Sequence, residues 1–118
     1  MEGLKLKGLI QKYGLVILKI ILKKRNKARY TQILEDFPAT SGTLSRALKA
    51  LEQEGFIKRL VDSDARPPVS YYSITEKGYK LVRDDLSDSY MALMEFDPNE
   101  AEKLLEKLRK RLEELKKS

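Results

Sequence analysis

Among the side chains that carry chemistry in proteins, this sequence offers carboxylates, ammonium groups and guanidinium groups, but neither cysteine nor histidine. That absence removes disulfide frameworks, thiolate and imidazole zinc sites, and every nucleophilic triad that relies on an imidazole base. Carboxylate-only acid–base chemistry needs a paired site. The acidic residues here lie mostly beside Lys or Arg, the pattern of a solvated helical surface. No catalytic residue, metal site or cofactor is therefore expected, and the chain does not read as an enzyme. What remains is charge, and the charge is uneven. Residues 1 to 60 carry 13 Lys and Arg against 5 Asp and Glu, a net +8, whereas residues 61 to 118 carry 11 against 13, a net −2. The basic half is expected to face an anion, which composition alone leaves open between nucleic acid and an anionic membrane surface.

A chain of 118 residues with 42% hydrophobic content is expected to build one compact unit with a modest core, plus one appendage. The stretch "GLKLKGLIQKYGLVILKIILKK" invites a reading as signal peptide or membrane span. Lys12 and Lys19 interrupt it, however, and no small-residue cleavage site follows, so the expectation is a soluble cytoplasmic protein without a membrane segment. Leu9, Ile10, Tyr13, Val16, Ile17, Ile20 and Ile21 fall at helical spacing and predict a buried first helix. "KKRNKARYT" breaks that pattern; Thr31 is placed to cap a short second helix over Gln32 to Glu35, and Pro38 ends it. In "ATSGTLSRALKALEQEGF", Thr40 or Ser41 is the cap of a third helix. Leu44, Ala47, Leu48 and Leu51 form its inward stripe, and Gly55 is the left-handed stop.

Two strands are predicted next, Phe56 to Val61 and Val69 to Ile74, both rich in β-branched and aromatic residues. "DSDARPP" between them is turn chemistry, with the prolines at the strand margin because they cannot donate ladder hydrogen bonds. Thr75 opens a long helix carrying Tyr79, Val82, Leu86, Tyr90 and Leu93 on one stripe. Asp97, Pro98 and Glu100 then supply the cap, first-turn proline and acidic partner of a further helix start. In that last helix Ala101, Leu105, Leu108, Leu112 and Leu115 alternate steps of four and three, a heptad seam. It is compatible with folding back on its own domain or with pairing to a second subunit. Pairing is the expectation, since leucine at nearly every seam position makes a poor isolated surface helix.

Three helices followed by a two-stranded hairpin is the order of a winged helix-turn-helix, an α+β fold that is mostly α. "LSRALKALEQEGFIKR" resembles the recognition helix and first wing strand of MarR, HxlR and PadR-type transcriptional regulators. "RPPVSYYSITEKG" resembles their returning strand and the "Y-x-L-T-x-x-G" start of the next helix, matched by Tyr72, Ile74, Thr75 and Gly78 with Ile for Leu. The likeness covers about Tyr30 to Val82 and suits the small archaeal-type members. It implies binding to double-stranded DNA; together with the heptad seam, the expected organisation is a winged-helix domain over residues 1–95 and a leucine-rich dimerisation helix over 96–118, acting as a homodimer. Thiol-based redox sensing, which the resemblance would allow, has no cysteine to run on.

The residues can be tested against that implication on a helical wheel. With Leu44, Leu48 and Leu51 inward, the opposite side carries Gly42, Arg46, Lys49 and Gln53, with Ser45 flanking. Small Ser41, Gly42 and Thr43 let the helix start approach bases or phosphates closely, Arg46 has the fork to span guanine O6 and N7, and Lys49 suits phosphate. In the wing, Lys58, Arg59 and Arg66 are the candidate contacts. Asp62 and Asp64 near the tip repel phosphate and suit a turn hydrogen bond instead. The cluster Lys23, Lys24, Arg25, Lys27 and Arg29 fits a solvated loop as well as it fits phosphate contact. Tyr71, Tyr72, Tyr79 and Tyr90 raise the alternative of an aromatic effector pocket, but core packing accounts for most of them and a small-molecule effector is not the expectation. The reading is a DNA-binding transcriptional regulator, cytoplasmic and nucleoid-associated. The alternatives are an architectural DNA-binding protein with little sequence preference, and a winged helix serving as a protein-interaction module.

Overall fold

Apolar residues at three- and four-residue steps wind the first helix, α1 (Glu2–Lys23), which begins before the periodic stretch that predicts it. The structure, a computed structural model, describes residues 2–117, with side chains from Lys7 onward. After α1 come α2 (Tyr30–Asp36), α3 (Ser41–Gln53), β1 (Ile57–Asp62), β2 (Val69–Ile74), α4 (Glu76–Phe96) and α5 (Pro98–Lys117). The chain divides into two compact units, Met1–Val82 and Arg83–Ser118, the division falling inside α4.

In the first unit, α1 supplies Ile17, Leu18 and Ile21 to a core completed by Ile33 of α2, Leu44, Leu48 and Leu51 of α3, Ile57 of β1 and Ile74 of β2. The predicted inward stripe of α3 is buried throughout. Its cap is Thr40, whose Oγ1 accepts from the Thr43 amide at 3.2 Å, and not Ser41, which is already helical. Thr31 does not cap α2. The helix starts one residue earlier at Tyr30, because the Gln32 side chain reaches back to accept the Arg29 N–H at 2.9 Å. Gly55 turns the chain out of α3 at φ +79°, a conformation open to glycine at little cost.

The strands pair antiparallel from Ile57↔Ile74 to Asp62↔Val69, so β1 starts one residue later than Phe56. Phe56 instead belongs to a junction where three elements meet. Its carbonyl accepts from the Thr75 N–H at 3.0 Å. Thr75 Oγ1 donates to the Gly55 carbonyl at 2.6 Å and accepts from the Gly78 N–H at 3.2 Å, capping α4 as its sequence predicts. Lys77 Nζ donates to the Glu54 carbonyl at 2.7 Å, placing a cation at the C-terminus of α3, where the helix dipole favours it.

In the second unit Asp97 caps α5, its Oδ1 accepting from the Glu100 N–H at 3.1 Å, with Pro98 in the first turn. Tyr90 Oη donates to the Ala101 carbonyl at 3.0 Å. Ala101, the first residue of the heptad seam, is thus only 2% exposed within its own unit, while Leu105, Leu108, Leu112 and Leu115 are exposed. The stripe expected on α4 is uneven: Val82, Tyr90 and Leu93 are half-buried, but Tyr79 and Leu86 are exposed.

Gly78 lies in the first turn of α4 with the Phe56 carbonyl so close that an added Cβ would collide with its oxygen. Helix propensity alone favours alanine over glycine by about 1 kcal/mol. Because the obstacle is backbone that cannot rotate aside, Gly78→Ala is expected to lower stability by about 2 kcal/mol in urea unfolding. A raised midpoint would show that the junction has slack.

Candidate nucleic-acid interface

The side of α3 opposite its buried stripe displays Ser41, Gly42, Ser45, Arg46 and Lys49 to solvent, with Thr43 half-buried beside them. A line of hydrogen bonds runs along this face. Thr40 and Thr43 hydroxyls meet at 2.9 Å, and the Arg46 guanidinium donates to Thr43 Oγ1 at 3.4 Å. The contact to Arg46 is long, so it orients the guanidinium while leaving most of its five donors available. The expected reading face is therefore assembled as one surface: a cap, a small first turn, a fork-shaped cation and an ammonium one turn further on.

Tyr30 is a member of this site that sequence periodicity does not reveal. From the first position of α2 its hydroxyl donates to the Ser41 carbonyl at 2.9 Å and lies 3.1 Å from Ser45 Oγ, tying the first turn of α3 to α2. Its partners stand 11 and 15 residues away, beyond the reach of any local pattern.

The wing is held more firmly than a two-stranded hairpin would be alone. Ala28, fully buried, exchanges both backbone hydrogen bonds with Tyr72, at 2.7 and 3.0 Å, adding a one-residue third strand beside β2. Asn26, at φ +59°, accepts the Ile74 N–H on its Oδ1 at 2.7 Å. Lys27 Nζ lies 4.4 Å above the Tyr71 ring. Lys24 pairs with Asp36 at 3.7 Å. Lys24 and Lys27 of the "KKRNKARYT" cluster thus make contacts within the protein.

Lys58 and Arg59 are both exposed, but strand alternation sends them to opposite faces of the wing. Arg59 stands across from Tyr72, which packs on the core, and Lys58 across from Ser73. Arg66 is exposed near the tip, where the Arg66–Pro67 peptide is cis. The acidic turn closes on itself, with the Asp64 N–H donating to Asp62 Oδ1 at 3.1 Å. Among the described residues no His, Cys, Asp and Glu group could hold a metal ion, and no helix is long and apolar enough to cross a membrane.

Comparison with known proteins agrees with this geometry. The profile of the winged helix DNA-binding domain family matches residues 15–95. The chain belongs to that family. Its winged-helix fold recurs in the reduced form of the transcriptional regulator YodB from B. subtilis. That structure is 26% identical, has a TM-score of 0.63, and the match covers 78% of this chain and 89% of that one. It recurs again in a protein assigned to the MarR family of transcriptional regulators from Enterococcus faecalis V583, at 21% identity and TM-score 0.63, covering 82% and 86%. FabT from Streptococcus pneumoniae, solved in complex with DNA, shares the fold at 21% identity and TM-score 0.60, covering 87% and 71%. No curated protein matches. The winged helix expected from α3 and the "Y-x-L-T-x-x-G" phrase is present, and one structure of the same fold is assigned to the MarR family that the phrases resemble.

Asn26 is the test of how the wing is held. Asn26→Gly keeps the left-handed backbone but leaves the Ile74 N–H without its partner, an expected loss of about 2 kcal/mol. Asn26→Ala adds the left-handed penalty, for about 3 kcal/mol in all. Faster hydrogen exchange at the Ile74 amide in both variants is the direct readout.

Proposed function

We propose that this winged helix is a double-stranded DNA-binding transcriptional regulator that acts as a homodimer on an inverted-repeat site. The observation that carries the proposal is the solvent-facing surface of α3, where Gly42, Ser45, Arg46 and Lys49 stand together over a fully buried stripe. α3 enters the major groove with Ser41, Gly42 and Thr43 nearest the DNA, Arg46 reading a guanine edge, and Lys49 holding phosphate. Lys58, Arg59 and Arg66 add wing contacts, Arg66 in the minor groove, where width rather than sequence governs an arginine's fit. FabT, a protein of the same fold, was solved in complex with DNA, which supports DNA as the partner.

Residues 1–95 form the DNA-binding part in this reading and 96–118 the dimerisation helix. The leucines at 105, 108, 112 and 115 make an exposed heptad seam on α5. Pairing such seams between two copies buries apolar surface that an isolated helix leaves in water. Ala101 starts the seam from within its own protomer. Two recognition helices then address successive major grooves roughly 34 Å apart, which makes the site an inverted repeat. A cytoplasmic, nucleoid-associated location belongs to the same reading.

Arg46→Ala is expected to weaken binding to a preferred genomic site by at least about tenfold while changing affinity for random duplex by less than about twofold. Equal losses would mean an architectural binder, and no duplex binding by the wild type would mean a protein-interaction module. Affinity should fall steeply with salt, log K declining with a slope of about −5 to −9 for six to ten phosphate contacts per dimer. Leu108→Glu combined with Leu112→Glu should convert the dimer to monomer in sedimentation. An unchanged mass would move the dimer contact away from α5.

A further inference from the structure

We propose that Tyr30 sets part of the base preference of α3 by making Ser45 a hydrogen-bond acceptor only, so that Ser45 selects a base amino group in the major groove. The inference rests on the DNA-reading function proposed above and goes beyond it. It names a residue outside the reading helix as a determinant of specificity, and the chemical class of base that one position accepts.

The argument is a count of protons. Tyr30 has one hydroxyl proton, and the Ser41 carbonyl, 2.9 Å away, can only accept it. The second contact, 3.1 Å between Tyr30 Oη and Ser45 Oγ, also needs one proton between two oxygens. Tyr30 has already placed its own, so Ser45 is the donor there. The Ser45 hydroxyl hydrogen points back toward α2, and the exposed oxygen presents lone pairs to whatever enters from the groove side.

A serine hydroxyl free to rotate is an ambiguous reader, since it can donate to a base acceptor or accept from a base amino group. Tyr30 removes the first option. Guanine O6 and N7 and thymine O4 would meet lone pairs with lone pairs, whereas adenine N6 and cytosine N4 bring the hydrogen that Ser45 lacks. The neighbouring Arg46 has donors only and therefore seeks the opposite pattern. Two adjacent residues on one helix face thus read complementary edges. Tyr30 acts as a positioning residue: it orients Ser45 without touching DNA itself.

The experiment selects duplexes from a randomised pool with the full-length protein as wild type, Ser45→Ala and Tyr30→Phe. Ser45→Ala identifies the base position that Ser45 reads, as the one whose preference vanishes. In the wild type that position should favour adenine or cytosine over guanine or thymine on one strand by about fivefold, the weight of one net hydrogen bond. In Tyr30→Phe this preference should fall below about twofold as the serine regains its rotation, while every other position keeps its order. A merely structural role for Tyr30 would flatten all positions together, and that result overturns the proposal. So does a guanine or thymine preference at the Ser45 position, a preference unmoved by Tyr30→Phe, or no position that responds to Ser45→Ala. A wild type with no preference anywhere overturns the DNA-reading function as well, which separates that failure from the failure of this inference alone. Should Tyr30→Phe lose its helical circular dichroism, the Ser45→Ala selection still decides by the base class at its position.

Discussion

The Phe56 carbonyl oxygen is the point on which the arrangement of this molecule turns. It receives the Thr75 N–H and sits against the bare Cα of Gly78, so the end of α3, the start of β1 and the start of α4 are fixed within one short stretch of space. Extending the ladder one step beyond the Ile57↔Ile74 pair, the Phe56–Thr75 bond pins the register of the wing. A slip of one residue would turn either Ile57 or Ile74 out of the core, so the register has a hydrogen-bonded lock at its base as well as the hydrophobic one. Thr75 serves both neighbours at once, donating to α3's exit and capping α4, which explains why a threonine, a short spacer and a glycine occur together there.

From that junction the polar face of α3 follows with little freedom. Once Leu44, Leu48 and Leu51 are buried against α1, a helix of 3.6 residues per turn must send Arg46 and Lys49 outward. Tyr30 then fixes the start of the helix against α2, and the Thr40–Thr43–Arg46 line fixes side chains along it. A face held in this way is preorganised, with fewer rotamers left to be ordered on binding under the function proposed for it.

Much of this was legible in the sequence because the physics concerned is local. Caps at Thr40, Thr75 and Asp97, the stop at Gly55, the strand from Val69 to Ile74 and the heptad leucines all announce themselves within a few residues. The basic stretch before α2 was not legible. Its composition reads as a solvated loop, yet it holds a buried Ala28 paired with Tyr72 and an Asn26 bonded to a backbone amide 48 residues further on. No window of neighbouring residues encodes such a contact. The same holds for Tyr30, whose aromatic ring fits a core reading while its hydroxyl serves the site. The faces taken by Lys58 and Arg59 depend on strand register, which a run of alternating residues leaves open until the pairing is known.

The left-handed pair Arg25 and Asn26 has a consequence for how the chain can vary. Between the end of α1 and the start of α2 every position is tied: the turn itself, the amide held by Asn26, the exchange between Ala28 and Tyr72, and Arg29 held by Gln32. An inserted residue would have to break one of those ties, so this linker is fixed in length. At the tip of the wing the Asp64 N–H is held by Asp62 Oδ1 within the turn itself, so a change of length there disturbs fewer ties to the rest of the protein. A change of length at the tip would therefore alter the wing's reach while leaving the connection beneath it in place.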